Sequence, residues 1–347
     1  MINNPKIPIQ SLSFEQLQNW LKKHHFPPFR AKQIRLWIYN KLATKFADFK
    51  NLPQNIIDAL NQEFTPSSLE ITEQLESTDG TLKCLSTLQD GNTIESVLIH
   101  ADNRHTVCIS TQVGCAVRCV FCASGRQGLI RNLTSAEIID QVLWASHQNH
   151  AKITNIVVMG MGEPLHNLEN LHIALKTLGD PDGFNLGARH VTISTSGIVP
   201  GIRALADIGT PWNLALSLHA TSDEQRAKVI PDKNRYPLED IYAACQYHRE
   251  KTNRMLTLEY ALVAGINDSF ATADELAQIA KKLHAKVNLI PCNPAGSTCT
   301  APHMKYCREF LNLLLRKNIQ ATLRVRKGDD IAAACGQLRQ RYCEKKA

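Results

Sequence analysis

The chain has 347 residues, 44% of them hydrophobic, enough for one large domain plus a small one at about 100–200 residues per domain. A formal net charge of +7 favours a polyanionic partner. The start Met1-Ile2-Asn3-Asn4-Pro5-Lys6 shows no secretory leader and no run of about 20 apolar residues could span a bilayer, so a cytoplasmic protein is expected; eleven cysteines, an odd count, then point to thiols and a cluster rather than disulfide scaffolding.

Residues 1–70 read as a small helical module. Phe14, Leu17, Trp20 and Leu21 recur at helical spacing behind Ser13 as N-cap, Pro27-Pro28 ends that helix, and a second runs from Ala31 to Lys41. Trp20, Trp37 and Tyr39 are read as core, and Lys22, Lys23, Arg30, Lys32 and Arg35 are placed on polar faces where they could track phosphates. The module holds nine Lys/Arg against five Asp/Glu, and further basic residues gather from Arg316 to Lys346, among them Arg326, Arg339, Arg341 and Lys345. Residues 71–103 change to strand alternation with turn signals Asp79-Gly80 and Asp90-Gly91, as expected of a β-hairpin connector.

From 104 to 347 strand, loop and helix repeat. Expected strands are Thr106–Ser110, Ile153–Met159, His190–Ser194, Trp212–Leu218, Met255–Val263, Ala285–Ile290 and Ala321–Val325. Thr134, three residues before Glu137, marks a capping box ahead of Ile138 and Val142. Strands alternating with helices predict a parallel α/β architecture. About six units suit an open partial barrel, with its site in the loops at the C-terminal strand ends.

The loop between the first two of these strands carries Cys115-x3-Cys119-x2-Cys122. Three thiolates fill three positions of a cubane iron–sulfur cluster and leave one iron open. Zinc also takes clustered thiolates, but a closed structural site needs four ligands and no second doublet follows. Gly160-Met161-Gly162-Glu163-Pro164 follows the second strand, where glycines admit a ligand to the backbone and Glu163 offers a carboxylate. Ser194, Ser217, Leu218, His219 and Asn293 stand at or just past successive strand ends, where polar groups can face one ligand.

The cysteine spacing, with Phe121 before the last cysteine, resembles the signature of the radical S-adenosylmethionine (SAM) superfamily, in which SAM chelates the open iron. In that resemblance, Gly162 and Glu163 lie in the segment that binds the SAM amino group. The run Gln112-Val113-Gly114-Cys115, the stretch Gln127 to Glu137, Gly160 to Leu165, Ser217-Leu218-His219-Ala220 and Asp330 to Leu338 together resemble the RlmN/Cfr family of radical SAM RNA methyltransferases over nearly the whole chain. The resemblance implies a partial (β/α)6 barrel over 104–347 behind a helical RNA-binding domain over 1–70. It also implies a [4Fe-4S] cluster and SAM as cofactors, 23S ribosomal RNA and transfer RNA as substrates, a flavodoxin-like cytosolic electron donor, and a monomer. RlmN-type members methylate adenine at C2 and Cfr-type members at C8; the chain looks most like the RlmN type. Cfr-like C8 methylation and a non-catalytic zinc-binding RNA protein are the alternative readings.

By the same resemblance Cys335 matches the methyl-carrying cysteine, Cys108 the second thiol that would be left in a Cys108–Cys335 disulfide, and Glu95 a proton acceptor. From its own setting Glu95 is an outward strand carboxylate. The chemistry accounts for the extra thiols, because C2 of adenine is electron-poor and direct transfer of the electrophilic SAM methyl to it is mismatched in polarity. A carbon radical made from an S-methyl group can add instead. Ala123-Ser124 and Leu129 depart from the family's usual Ser-Thr and Phe, changes of volume that leave the expected activity intact.

Overall fold

The computed structural model describes residues 6–101, 103–231, 235–293, 299–324 and 327–338. Arg326, Arg339, Arg341, Lys345 and Lys346 of the basic C-terminal stretch lie outside the described residues, as does Val325 of the last expected strand.

The front module begins with β1 (Ile7–Pro8), followed by helices α1 (Phe14–Lys23), α2 (Arg30–Arg35) and α3 (Gln54–Glu63) and by β2 (Phe64–Thr65), which pairs in parallel with β1. A capping box starts α1: the Ser13 hydroxyl accepts from the Gln16 N–H at 3.1 Å and the Gln16 side chain accepts from the Ser13 N–H at 2.8 Å. The second expected helix is shorter than its periodicity suggests. After Arg35 the chain widens over Leu36–Asn40, and the Lys41 N–H reaches back to the Leu36 carbonyl, a one-turn π bulge. Trp20 and Tyr39 are buried, whereas Trp37 is half-buried and stacks on Phe49.

Arg35 departs from its expected place on a phosphate-facing surface. It is buried, its guanidinium pairs with Asp180 at 2.7 Å and lies over the rings of Phe14 and Tyr39. Asp180 follows a helix of the barrel, so this cation joins the module to the barrel and is shielded from any RNA. Asn40 and Lys152 add to the joint, both donating to the Gly183 carbonyl, and Lys152 also donates to Phe184 at 2.8 Å.

The segment expected as a hairpin connector supplies three strands, β3 (Leu69–Glu76), β4 (Leu82–Leu88) and β5 (Thr93–Ala101), turning at Gly80 and Gly91. These continue without a break into β6 (Arg104–Cys108), all antiparallel, so they extend the main sheet instead of bridging two bodies. The short ribbon β7 (Gln112–Gly114) and β8 (Leu129–Asn132) follows. Then come α4 (Ser135–Gln148), β9 (Asn155–Val158), α5 (Leu168–Gly179), β10 (Val191–Thr195), α6 (Val199–Ile208), β11 (Asn213–Ser217), α7 (Asp223–Val229), α8 (Leu238–Thr252), β12 (Thr257–Leu262), α9 (Phe270–Lys282), β13 (Lys286–Pro291), α10 (Met304–Arg316) and β14 (Ala321–Leu323).

The ten-stranded sheet runs β14-β13-β12-β11-β10-β9-β6-β5-β4-β3, parallel from β6 to β14. Six strand–helix units and a seventh strand thus form an open, partial barrel with helices outside. Along β9, β10 and β13 fully buried residues alternate with less buried ones, so one face of each strand packs on the helices and the other turns to the barrel interior. On α4, Ile138, Ile139 and Val142 are fully buried against the sheet, each contributing about 1.5–3 kcal/mol. The same helix carries a buried amide, Gln141, whose Oε1 accepts from the Ser110 N–H (2.7 Å) and Ser96 hydroxyl (2.8 Å) while its Nε2 donates to the Ser110 and Glu137 carbonyls. This fixes the chain just beyond β6, where the cysteine loop departs. Among the described residues no helix is long and apolar enough to cross a membrane.

Candidate active site

Between β7 and β8 the cysteine loop folds back on itself: the Cys115 N–H donates to Gly128 O and the Cys122 N–H to Cys119 O, each at 3.0 Å. Gly114 has φ +79°, and a Cβ there would lie 1.9 Å from Gly128 O, so no other residue permits this return. All three thiols line one cavity at the C-terminal ends of the parallel strands. Burial pushes the Cys115 thiol up to about 12 and raises Cys119 and Cys122, with like-charge repulsion among the three adding to it. Three bare thiolates are therefore disfavoured here unless bonded metal takes up their charge. Among the described residues no group of three Cys, His, Asp or Glu side chains is arranged for a single metal ion. The donor set fits a cluster that spreads its ligands over several irons.

The same cavity is lined by Gly162, Glu163, Ser194, Ser217, His219 and Asn293. Gly162 has φ +107°, and a Cβ would meet Gln112 Cβ at 2.6 Å. Glu163 is buried and its carboxylate accepts from the Leu165 N–H (3.1 Å) and the Ser196 N–H (2.7 Å), while its own N–H donates to Gln112 Oε1 at 2.8 Å. It therefore laces together the ends of β7, β9 and β10. Ser194 and Ser217, on adjacent strands, bring their hydroxyls to 3.1 Å. His219 Nδ1 accepts from the Ala261 N–H at 3.0 Å, which leaves Nε2 as the proton-bearing nitrogen. Burial and then the Arg226 charge push its pKa down to about 3, so the ring stays neutral. Asn293 Oδ1 is buried without a partner among the described residues, an acceptor that a ligand's donor groups would satisfy. These polar groups fit a ligand such as SAM.

Leu218, expected among the cofactor-binding residues, has its side chain in the core and outside the cavity. β11 ends at Ser217, and the chain turns there, with His219 at φ +55°, so that Ser217 and His219 line the cavity while Leu218 packs inward. Leu218 serves through its backbone, whose N–H donates to Glu259 O at 3.1 Å.

Cys335 arrives from the C-terminal segment. The Ala123 N–H donates to Gly336 O at 2.8 Å and the Asn293 amide to Cys335 O at 2.9 Å, docking this segment on the cysteine loop and on the end of β13. A second cavity, which shares Met159, Ile290, Asn293, Arg324 and Cys335 with the first as lining, also receives Cys108. Both cysteines are free thiols, and burial, followed by the neighbouring Cys335, pushes Cys108 up to about 12. The Arg324 guanidinium is held charged first by Cys335 and also, against burial, by Glu259 and Cys108.

Glu95 is buried rather than outward-facing. In the register of the antiparallel strands Lys83 opposes Val97 and Val97 opposes Cys108, and Glu95 lies two residues from Val97 on β5. Directly opposed residues share a face, so Lys83, Glu95 and Cys108 face the same side of the sheet. Glu95 lines neither cavity itself. Sequence reasoning did not single out Lys83, Arg226, Glu259 or Arg324. Arg226 sits in Asp223-Glu224-Gln225-Arg226, which reads as a solvated helix face, yet it is buried, with Nε toward Leu218 O and an Nη toward Ser196 O. Only Arg324 carried a signal, as a charge inside the last expected strand, Ala321–Val325.

Residues 109–286 match the model of the Radical SAM superfamily, and residues 7–65 match that of the ribosomal RNA large subunit methyltransferase N-terminal domain. The chain is 43% identical over 335 residues to a probable dual-specificity RNA methyltransferase RlmN of Caldicellulosiruptor saccharolyticus, covering 96% of this chain and 97% of that one. It is 43% identical over 339 residues to the protein of that name from Clostridioides difficile, covering 97% and 98%. A crystal structure of a radical SAM methyltransferase from Sphaerobacter thermophilus superposes with a TM-score of 0.93 at 40% identity, covering 96% of this chain and 99% of that one. The cavity-lining cysteine triad, the barrel that presents it and the helical module in front thus belong together, and the chain is a member of the RlmN family of radical SAM RNA methyltransferases.

Proposed function

We propose that this enzyme methylates C2 of an adenine in 23S ribosomal RNA, and in transfer RNA, through an S-methylcysteine at Cys335. The observation that carries the reading is the meeting of two free thiols, Cys108 and Cys335, in a cavity next to that of the cysteine triad, with Cys335 lining both. Cys115, Cys119 and Cys122 would hold the [4Fe-4S] cluster, which together with SAM supplies a 5′-deoxyadenosyl radical. Gly162, Glu163, Ser194, Ser217, His219 and Asn293 shape and line the space for SAM.

Cys335 takes a methyl group as a thiolate, a charge that Arg324 offsets. Once its methylene radical has joined the base, release requires loss of one electron, which the cluster would take up, and of the C2 proton, for which Glu95 is the acceptor. It also requires a second thiol: as Cys108 closes a disulfide with Cys335, the carbon–sulfur bond to the product breaks and the proton given up by the Cys108 thiol completes the new methyl group, after which a reductant reopens the disulfide. The exposed Lys22, Lys23 and Lys32 of the 1–70 module contribute phosphate contacts, and a flavodoxin-like protein is the assigned electron donor.

Nucleoside mass spectrometry of 23S ribosomal and transfer RNA treated with the reconstituted enzyme tests this reading. The expected product from both is 2-methyladenine; 8-methyladenine would overturn the regiochemistry, and unmodified transfer RNA would remove the second substrate.

A further inference from the structure

Around Glu95 the structure holds a buried cation that the reaction as described does not use. Lys83, on β4, is as buried as Glu95, and its Nζ stands 3.7 Å from Glu95 Oε1. The same ammonium donates to the carbonyl of Ala332 at 3.1 Å, three residues before Cys335. A lysine is rarely taken fully out of water, and here it is placed between a carboxylate and the segment that bears the methyl-carrying thiol.

The turn leading into β4 grips the same segment. The Ser77 hydroxyl donates to Asp330 Oδ1 at 2.5 Å, the Thr78 N–H to Asp330 Oδ2 at 3.1 Å, and the Gly328 N–H to Asp79 Oδ2 at 3.2 Å. At Gly328, φ +63°, a Cβ would come within 2.7 Å of Ala333 Cβ and 3.0 Å of Thr81 Cγ2, so the segment lies tightly on the turn. These contacts hold the segment in place, and Lys83 links it to Glu95.

We propose that Lys83 is a positioning residue that couples the Glu95 carboxylate to the Cys335 segment, holding the carboxylate ionised and aimed while it fixes the Ala332 carbonyl. The assignment rests on the reading of Glu95 as proton acceptor. A carboxylate can take the C2 proton only as an anion, and burial works against that form unless a cation stands close. When Glu95 becomes neutral its hold on the ammonium weakens, while the hydrogen bond to Ala332 keeps Lys83 in place for the next turnover. Cys84, also on β4, is a further titratable group beside Glu95; burial pushes its thiol up to about 11, so at neutral pH it adds no charge.

The test uses the full-length, anaerobically reconstituted enzyme, with iron content as the control for folding. Lys83→Met removes charge and donor; Lys83→Gln removes the charge but keeps a donor for Ala332. Release of methylated RNA from the protein–RNA adduct is followed against pH. In both variants the acid limb of this profile is expected to move up by about one pH unit or more, slowing release about tenfold below its midpoint. Only Lys83→Met should also slow methylation of Cys335, read by peptide mass spectrometry. Because Lys83 acts through Glu95, adding Lys83→Met to Glu95→Gln should not slow release further. Release profiles of Lys83→Met and Lys83→Gln that match the wild type, in an enzyme whose Glu95→Gln variant stalls, would overturn the role of Lys83 alone. Normal release by Glu95→Gln would overturn the reading of Glu95 and this proposal with it.

Discussion

The Asn293 side-chain amide donates a 2.9 Å hydrogen bond to the backbone carbonyl of Cys335. This bond joins the end of β13, fixed in the sheet, to a segment that has no strand or helix of its own around Cys335. A misplacement of about 1 Å in a reacting group can cost on the order of a hundredfold in rate. Asn293→Ala should therefore slow S-methylcysteine formation at Cys335 about 10–100-fold while the iron content stays normal, measured by time-resolved peptide mass spectrometry. Loading at the wild-type rate would show that the segment is held without this bond.

The Cys119 thiol is within reach of the charges of Cys122, Cys115 and the buried Arg226. Replacing one thiolate leaves a second iron without a protein ligand. Cys119→Ala is expected to lose the brown colour, to bind fewer than about four irons, and to form no 5′-deoxyadenosine from SAM under a strong reductant. A variant that still produced 5′-deoxyadenosine at the normal rate would remove Cys119 from the ligand set.

The parts of this enzyme that are local in sequence were legible there. Ser13 and Thr134 as caps, the seven parallel strands and the cysteine loop each rest on residues within a few positions of one another. What escaped is set by partners distant in the chain. Arg35 reads as a solvated helix cation because its partner Asp180 lies 145 residues away, beyond the front module. Glu95 reads as an outward carboxylate because alternation on β5 does not reveal that the C-terminal segment covers that face, and Lys83 stayed unremarked for the same reason. The motif Ser217-Leu218-His219 was legible as a unit, but the turn at the end of β11 sends its middle residue into the core.

Asp140, on α4, is buried where the linker after β2 meets the barrel, and its Oδ2 accepts from the Ser68 N–H and hydroxyl, each at 2.6 Å. Burial nevertheless outweighs these bonds and raises its pKa to about 7. An acid whose folded pKa lies above its unfolded value near 3.8 binds its proton more tightly when folded. Its contribution is fully present below pH about 4 and is lost as pH rises through about 7. Asp140→Asn keeps an acceptor for Ser68 but cannot ionise. Relative to the wild type, its urea midpoint should gain from about pH 4 to about pH 7 and level off above that; an offset that does not vary with pH would refute this.

Lys22, Lys23 and Lys32 are exposed on the front module, and Lys32 is only loosely paired with Asp182 at 3.6 Å. Exposed cations of this kind bind phosphates through counterion release, so removing one lysine–phosphate pairing should reduce the slope of log affinity against log salt by about 0.7–0.9. Changing all three to Ala should weaken binding of 23S ribosomal RNA fragments and flatten that slope, read by filter binding between low and moderate salt. Arg35→Met, in contrast, should leave the slope unchanged and lower thermal stability, because this cation is spent on Asp180. An unchanged slope in the triple variant would move the RNA-binding surface off this face.

Cys108 and Cys335 share one cavity but enter it from different supports, and this separates their roles. Cys108 stands on β6, paired on both sides with β5 and β9, whereas Cys335 rides a segment docked by Asn293, Ala123 and Lys83. A thiol that must first meet SAM and then the RNA base suits the docked segment; a thiol that waits to close a disulfide suits the strand. Cys335→Ala should therefore form neither S-methylcysteine nor methylated RNA. Cys108→Ala should load its methyl group and join the RNA base but fail at release, leaving a slowly migrating, nuclease-sensitive species on denaturing gels. The adduct is expected for Cys108→Ala and not for the double variant with Cys335→Ala, since in the proposed reaction the bond to RNA runs through the Cys335 methylene. Normal turnover by Cys108→Ala, with no such species, would return Cys108 to the role of a buried core thiol.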